Sequence, residues 1–457
     1  MRLSSLLGPD LHETLAQEPA ALREALEEFH AEDIAEIAED LPLDDVLALM
    51  RALPDDYAAE VLEHVPEERR AEILERLKPE EAAGLLVEME PDDRADVVQN
   101  LELPLAKSLL EEIEKVDPEA AEETRELAAY PASTAGGIMT TAYVGLPPET
   151  KIWQAIDQLR RVSRAEEVEH VYYVYAVAFG EKLVGVASLR DMILAEPAQT
   201  LADVMNENVV RVLDLDPQEE VARTIAKYDL EAVPVVDAQG RMVGVVTVDD
   251  VVDVVIEEAT EDAQRMGAVT PTEDSYFGGG FFAYWRSRVG WLVILFLGGF
   301  LTATVMERFE AQLREALSLA VFIPLIISTG GNAGSQSATL VIRAMAVDEV
   351  HPGDWLRVAT REAVVGVALG LVVGVLGFGR AFFTAGASGA VPLAMVVSSS
   401  IVIVVTVGSL IGSLLPLGIR RVGLDPAVSS TPFIASLSDV VGLLIYLTIA
   451  RVLLDLG

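Results

Sequence analysis

The stretch SSTPFIASLSDVVGLLIYLTIARVLL (429–454) places one carboxylate, Asp439, within a long apolar run. About 20 apolar residues cross the roughly 30 Å of hydrocarbon in a bilayer, so this run predicts a membrane-spanning helix. A charge near the bilayer centre costs roughly 2.5–3.5 kcal/mol even on lenient scales, and it therefore needs a partner. Asp439 predicts an ion pathway; a proton relay and a purely structural buried acid are the alternatives.

Two polar features accompany the apolar runs. Pro432 lies upstream of Asp439 and predicts free backbone carbonyls there, which together with a carboxylate would suit a hard cation. The stretch STGGNAGSQSAT (328–339) follows Pro324 inside a second apolar run. Polar, glycine-rich backbone is not tolerated against lipid, so this stretch is predicted to face protein or water. Close helix packing through the glycines is the alternative interpretation.

Five apolar runs predict five membrane spans. Arginine is more frequent in the loops on the side of the N-terminal half, which predicts a cytoplasmic N-terminus and, with five spans, an external C-terminus. The spans are about 288–306, 316–342, 362–386, 391–417 and 431–454, with Arg286, Arg288, Arg343, Arg357, Arg361, Arg420 and Arg421 on the N-terminal side and Arg308, Arg314, Arg380 and Arg451 opposite.

The charge of the chain is concentrated in its N-terminal part. Residues 1–270 hold 61 acidic and 22 basic side chains, a net charge of −39, whereas residues 271–457 carry −1. Such a region repels phosphate, which argues against nucleic acid as a partner. The chain has no cysteine and five scattered histidines, so its carboxylates favour hard cations such as Mg²⁺ or Ca²⁺ over soft metals. Simple solubility is the alternative explanation of the acidity. The first residues, MRLSSLLGPDLHETL, do not resemble a signal peptide, so we expect the acidic half to be cytoplasmic.

Two repeats organise this acidic half. Prolines recur every 12 or 13 residues, each followed by acids and then by apolar residues at helical spacing, which predicts a superhelical stack of short helices over about 5–130. The second repeat pairs LVGVASLRDMI (183–193) with MVGVVTVDDVV (242–252). Its strand–helix units resemble a tandem pair of CBS domains over about 135–260, with a hairpin turn at Gly240. Ser188 and Thr247 are predicted helix caps. The prolines of the first repeat are Pro42, Pro54, Pro66, Pro79, Pro91 and Pro104.

A strongly acidic helix is predicted to connect the CBS pair to the first span. Its acids lie in clusters on the helix faces, where like charges repel unless a cation lies between them. We expect these acids to have no basic partners, which favours a cation site. They are Asp253, Glu257, Glu258, Glu261 and Asp262.

Over nearly its whole length the chain resembles the MgtE family of magnesium channels. The segments YPASTAGGIMT (130–140), GGNAGSQSAT (330–339) and GLDPA (423–427) are similar to family signatures. The resemblance implies a mixed multidomain membrane protein: an all-α superhelical N-terminal domain, an α/β tandem CBS pair and a five-helix transmembrane domain. The predicted limits are 1–130 for the N domain, 131–258 for the CBS pair (about 131–200 and 201–258), 259–285 for the connecting helix and linker, and 286–457 for the pore domain.

The resemblance also implies a set of functional residues. It implies a homodimer in the cell membrane that passes Mg²⁺ and closes when cytoplasmic Mg²⁺ is high, and in some members ATP binds the CBS pair. The implied pore residues are Asp439, Ala435 and Asn332; the cytoplasmic sensor residues are Glu60, Asp92, Asp96, Ala226, Asp229, Asp250, Asp253, Glu258, Glu261, Asp262 and Asp425; the nucleotide residues are Tyr173, Arg190 and Asp191.

Two other classes of function remain open at this stage. One is a proton- or sodium-coupled carrier of divalent cations, in which Asp439 would carry the coupling proton. The other is a membrane-anchored sensor of Mg²⁺ or nucleotide without transport, which leaves Asp439 and the glycine-rich stretch unexplained. No nucleophile–base pattern or phosphate-binding glycine loop is apparent, so the sequence predicts no enzyme.

Overall fold

A computed structural model describes residues 26, 29–164, 172–272, 280–384 and 390–456. The chain divides into two compact units, Met1–Glu257 and Glu258–Gly457, and each is described by itself.

The first unit contains the predicted stack of short helices, which is confirmed from residue 29 onward; the part of the prediction over about 5–28 lies outside the described residues except for Leu26. Pro42, Pro54 and Pro66 occupy N-cap positions, and Pro79 and Pro91 lie in the first turn of their helices. Proline suits these positions because the first N–H groups of a helix have no intrahelical partner. The helices bury their apolar faces in one common core. They are α1 (Ala31–Asp40), α2 (Leu43–Met50), α3 (Asp55–Glu63), α4 (Glu67–Arg76), α5 (Pro79–Glu88), α6 (Pro91–Asn100), α7 (Leu103–Val116) and α8 (Pro118–Leu127).

The same unit contains the two predicted strand–helix modules. Each has a three-stranded mixed sheet whose first strand is parallel to the second, while the second and third are antiparallel. Gly240 has a φ of 78° and forms the predicted turn of the second hairpin. The elements are β1 (Gly145–Leu146), α9 (Ile152–Arg164), β2 (Tyr173–Ala178), β3 (Lys182–Ser188), α10 (Leu189–Leu194), α11 (Leu201–Val204), β4 (Val212–Leu213), α12 (Gln218–Tyr228), β5 (Ala232–Val236), β6 (Met242–Thr247) and α13 (Val248–Met266), whose residues from Glu258 onward belong to the second unit.

One helix of the stack, α6, packs against the second strand–helix module. Ala95 of α6 is buried in the same apolar cluster as Val246 of β6 and Val251 of α13. Asp92 and Asp96 lie three residues before and one residue after Ala95, on the same helix face. The packing therefore carries two aspartates into the contact between the helical stack and the strand–helix pair.

The second unit contains five helices long and apolar enough to cross a membrane, as predicted. Several bounds differ from the sequence prediction: the helix of the first span begins at Phe281 rather than near residue 288, and that of the third at Trp355 rather than near residue 362. The described helices of this unit are α14 (Phe281–Arg308), the short α15 (Glu310–Glu315), α16 (Ile323–Ala346), α17 (Trp355–Thr384), α18 (Ala390–Arg421) and α19 (Thr431–Leu453).

The expected effect of Pro432, free backbone carbonyls upstream of Asp439, is wrong. Pro324 and Pro432 both lie in the first turn of their helices, α16 and α19. A proline there removes only an N–H that has no intrahelical partner. It therefore leaves no gap in the hydrogen bonds beside Asp439, and the glycine-rich stretch is a continuous helix.

Glycines allow α16 and α18 to pack backbone against backbone. A methyl group added to Gly412 would lie 1.9 Å from the carbonyl oxygen of Gly334, and one added to Gly408 would lie 2.5 Å from that of Gly330. Any larger residue at these positions would push the helices apart. Close packing, the alternative interpretation of this stretch, thus accounts for these glycines.

Candidate cation sites

An acidic cavity of about 440 Å³ lies between the helical stack and the strand–helix pair of the first unit. Eight carboxylates line it, together with His64 and four tyrosines. The acids come from both sides of the contact, and in a shared cavity like charges repel unless a cation or a proton lies between them. The lining acids are Glu32, Glu60, Glu63, Glu90 and Asp93 of the stack and Asp249, Asp250 and Asp253 of α13.

Asp92 is buried and Asp96 is half-buried next to this cavity. Burial, reinforced by the negative charge of Asp250, raises the pKa of Asp92 well above its usual range. Burial and the neighbouring Asp93 raise the pKa of Asp96 to about 7. Oδ1 of Asp92 has no hydrogen-bond partner among the residues that the structure describes. A buried carboxylate oxygen without a partner is costly, and a cation or a proton would relieve this cost.

Asp250 belongs to the same electrostatic group. Its Oδ2 accepts a hydrogen bond of 2.5 Å from the Thr247 hydroxyl at the start of α13. Burial nonetheless raises the pKa of Asp250 to about 6. The structure thus brings Glu60, Asp92, Asp96, Asp250 and Asp253 of the predicted sensor set into one region.

The remaining sensor residue predictions in this unit are not gathered there. Ala226 and Asp229 are exposed at the end of α12, where Asp229 adopts a left-handed conformation with φ 50°. Over the part of the chain that the structure describes, no three His, Asp or Glu side chains are close enough to hold a metal ion. The acidic cavity, at about 440 Å³, has room for a cation together with the water shell that Mg²⁺ tends to keep.

The predicted nucleotide residues lie together at the first sheet. Tyr173 of β2 pairs with Ser188 of β3 in the strand register. The Ser188 hydroxyl donates to Asp191 at 2.6 Å and accepts from the Asp191 backbone N–H, which confirms Ser188 as a helix cap. Arg190 is exposed beside them.

In the second unit, the end of α13 contacts the loop before α19. Arg265 forms ion pairs with both Glu261 and Asp425, and the Thr431 hydroxyl donates to the carbonyl oxygen of Met266 at 3.1 Å. The expectation that the acids of this helix have no basic partners is therefore wrong. An arginine four residues after Glu261 is a recognisable i,i+4 pair, and that signal was present in the sequence.

Asp439 is half-buried on α19, where that helix faces α16. A methyl group added to Gly331 of α16 would lie 3.3 Å from Cβ of Ala435 and 3.6 Å from Oδ1 of Asp439. The absence of a side chain at Gly331 therefore leaves space beside the carboxylate. Asn332 follows on α16 and is exposed, and its amide donates to the Ser328 hydroxyl at 3.5 Å.

Two polar residues of the membrane unit were missed by the sequence analysis. Ser438 is 2% exposed, and its hydroxyl, which has no hydrogen-bond partner, faces Gly334. Glu362 accepts a hydrogen bond from Ser337 of α16 at 2.6 Å. Glu362 was placed at the end of its predicted span, so its depth in the helix was not recognised.

These features define a multi-pass membrane protein with an acidic soluble part and a carboxylate inside its spans. Models of known families match three parts of the chain: the intracellular N domain of MgtE over residues 29–133, the CBS domain over 135–197 and 201–257, and the MgtE divalent cation transporter domain over 323–449. The chain is 44% identical over 340 residues to the magnesium transporter MgtE of Thermus thermophilus, covering 74% of each chain. It is 38% identical over 333 residues to that of Enterococcus faecalis, covering 73% of this chain and 72% of the relative. The chain therefore belongs to the MgtE family of magnesium transporters, which are not enzymes.

Solved structures resemble the soluble part. The cytosolic domain of the Mg²⁺ channel MgtE in complex with ATP is 39% identical, with a TM-score of 0.51, and covers 55% of this chain and 100% of that structure. The soluble part of a magnesium transporter is 34% identical, with a TM-score of 0.52, and covers 56% of this chain and 99% of that structure. The protein is thus a multi-pass membrane protein with a cytosolic N-terminal domain.

Proposed function

We propose that this protein is a Mg²⁺ channel that closes when Mg²⁺ binds its cytoplasmic acids. The observation that carries the proposal is the acidic cavity, which α6 and α13 line or border from opposite sides with Asp93, Asp250 and Asp253. Two carboxylates about 6 Å apart repel by roughly 0.7–3 kcal/mol at effective dielectrics between 80 and 20. Bound Mg²⁺ removes this repulsion. It therefore favours the docked state, in which α6 packs against the second strand–helix module, because the ion binds this state more tightly than the undocked one.

In this proposal the ion pathway passes Asp439, with Ala435 and Asn332 beside it. A hydrated Mg²⁺ interacts with the carboxylate through its water shell. The proposal also includes the domain limits predicted above, a homodimer that brings two Asp439 side chains together, and an external C-terminus. Binding of ATP at Tyr173, Arg190 and Asp191 is a further part of it, supported by the ATP complex of the 39% identical cytosolic domain.

The test is Mg²⁺ uptake into proteoliposomes with Mg²⁺ varied on the side of the soluble unit. The proposal expects uptake that stops as that Mg²⁺ rises and that does not depend on pH or Na⁺ gradients. Uptake that requires such a gradient would identify a coupled carrier instead. Absence of uptake by folded protein would favour the membrane-anchored sensor.

The link between sensor and pore is proposed to run along α13. This helix is continuous from Val248 to Met266 and carries Asp250 and Asp253 near one end. At its other end Arg265 and Met266 bond to Asp425 and Thr431, just before and at the start of the helix that bears Asp439. A displacement of α13 is therefore transmitted to α19.

Replacing Arg265 with glutamine is expected to weaken inhibition by cytoplasmic Mg²⁺. The change removes a charge-assisted pair worth about 1 kcal/mol and leaves Glu261 and Asp425 unneutralised, so the inhibitory midpoint should rise roughly fivefold. Arg265→Lys should stay close to wild type. Arg223→Gln is the matched control because Arg223 pairs only along its own helix, with Glu219 and Glu220. An unchanged midpoint in Arg265→Gln would contradict the proposed link.

Acid pH is expected to stabilise the docked state of α6 when Mg²⁺ is absent. The docked state raises the pKa of Asp96 to about 7 and of Asp250 to about 6, above an ordinary value near 3.9, so it binds more protons than the undocked state. Without Mg²⁺, docking should therefore lose stability as pH rises from about 4 to about 7. The charged neighbours of these two acids are Glu67, Arg70, Asp92, Asp93 and Asp249.

Hydrogen exchange of α6 in the full-length protein measures this docking. Between pH 5.5 and 7.5 without Mg²⁺, the protection factor should fall at least about tenfold, and Mg²⁺ should restore it at pH 7.5. Protection that is constant or rises over this interval would contradict the assignment of these acids.

A further inference from the structure

A second carboxylate lies inside the membrane helices, on α17. Because α17 begins at Trp355, Glu362 lies two turns from the helix start, about 10 Å along its axis. Among the described residues of the five spans, only Glu362 and Asp439 are acids more than one turn from a helix end. A carboxylate packed between membrane-spanning helices needs a polar partner.

The partner of Glu362 is on a different span. Oε2 of Glu362 accepts a hydrogen bond of 2.6 Å from the hydroxyl of Ser337, which lies on α16 and is 6% exposed. Glu362 is one turn before Gly366, whose face of α17 packs on Thr406 and Ser409 of α18. The carboxylate is therefore at the line where α16, α17 and α18 meet.

This hydrogen bond joins two helices that otherwise pack mainly on α18. Both α16 and α17 make extensive contacts with α18. On the side of α18, Gly330 lies against the Val404 side chain. On the side of α19, the Ser335 hydroxyl donates to the Thr431 carbonyl oxygen at 3.3 Å. Close glycine packing brings the helices together, and the bond from Ser337 adds a directed link to α17, so α16 is also held from a third side.

The rotation of α16 determines the surroundings of Asp439. Gly331 leaves the space beside Asp439, and Asn332 is the next residue on the same helix. A turn of α16 would move this space and the Asn332 amide relative to the carboxylate.

We propose that Glu362 is a positioning residue for ion selection: by accepting the Ser337 hydrogen bond it holds α16 against rotation from the side of α17 and so helps to set the surroundings of Asp439. This inference rests on the proposed function, in which the ion passes Asp439. It assigns Glu362 no contact with the ion.

The test compares Mg²⁺ with Ca²⁺ uptake by the full-length chain in proteoliposomes, with little Mg²⁺ on the side of the soluble unit. Ser337→Ala and Glu362→Ala should each change the Mg²⁺/Ca²⁺ uptake ratio at least about threefold. The double variant should show no more than the larger single effect, because both changes remove one bond. Glu362→Gln should keep the wild-type ratio, since an amide oxygen still accepts from Ser337. The matched control is Ser399→Ala, whose hydroxyl bonds only to carbonyls of its own helix.

Several outcomes would overturn the proposal. Wild-type ratios in Ser337→Ala and Glu362→Ala, with or without a change in thermal stability, exclude a positioning role. The carboxylate charge would act instead of the bond if the effects of Ser337→Ala and Glu362→Ala on the uptake ratio were additive in the double variant. The same would follow if Glu362→Gln had the ratio of Glu362→Ala. Full Mg²⁺ uptake by Asp439→Ala would contradict the proposed ion pathway. This failure of the proposed function can be told apart from a failure of the Glu362 proposal, because it is observed in a variant that leaves Glu362 unchanged.

Discussion

Replacing Asp439 with alanine is expected to reduce Mg²⁺ uptake at least about tenfold. A carboxylate about 5 Å from a hydrated divalent ion attracts it by about 1.7 kcal/mol at a dielectric of 80 and about 7 kcal/mol at 20. The lower limit already corresponds to more than a tenfold loss. Uptake into proteoliposomes, with low Mg²⁺ on the side of the soluble unit, measures the effect.

Two further variants separate charge from size at this position. Asp439→Asn keeps the shape and removes the charge, so it should be nearly as impaired as the alanine variant. Asp455→Asn is the matched control, because Asp455 is exposed just beyond the end of the same helix. Full uptake by Asp439→Asn would show that the charge is not used, and full uptake by Asp439→Ala would remove this residue from the pathway.

Local signals determined how much of the fold was predictable. The helices that follow Pro54, Pro66 and Pro79 were predicted because proline and acids at a helix start act within one turn. The hairpin at Gly240 was predicted because the turn and its flanking strands are consecutive. The five apolar spans follow from composition over about 20 residues. The nearness of Asp92 and Asp96 to Asp250 was implied only by the family resemblance.

Long-range contacts account for what the sequence did not predict. The bond of Glu362 to Ser337 depends on which faces of two spans meet, and the spacing of residues along each span does not determine which face meets which neighbour. Pro432 was misread because its effect depends on where the helix begins, and helix ends are the least determined feature of a sequence pattern. The ion pair of Arg265 with Glu261 could have been predicted from their spacing of four residues. The contact of Arg265 with Asp425 could not, because it joins residues 160 positions apart.

Neutralising Asp250, Asp253 and Glu258 together is expected to make uptake insensitive to cytoplasmic Mg²⁺. Asp250 and Asp253 line the acidic cavity, and Glu258 lies further along the same helix. With three charges removed, repulsion across the cavity falls and the cavity loses ligands for Mg²⁺. Mg²⁺ then binds the docked and undocked states almost equally well. A ligand that binds two states equally does not shift the equilibrium between them. The inhibitory midpoint should rise at least about tenfold, measured in a patch or vesicle assay on Asp250→Asn, Asp253→Asn, Glu258→Gln.

Removing these charges has two effects, weaker repulsion across the cavity and loss of Mg²⁺ binding, and they change uptake in opposite directions. Weaker repulsion alone would let α6 dock without Mg²⁺ and keep the pore closed, so uptake would be low at every Mg²⁺ concentration. Loss of Mg²⁺ binding would leave the pore open at every concentration. Both outcomes abolish the dependence on Mg²⁺, and uptake at low Mg²⁺ tells them apart. The control carries the same charge change at exposed acids outside the cavity, Glu102→Gln, Glu149→Gln and Glu207→Gln, and should be inhibited like wild type. Wild-type inhibition in the cavity variant would place the sensor elsewhere, because a cation that closes the pore through these carboxylates cannot act in their absence.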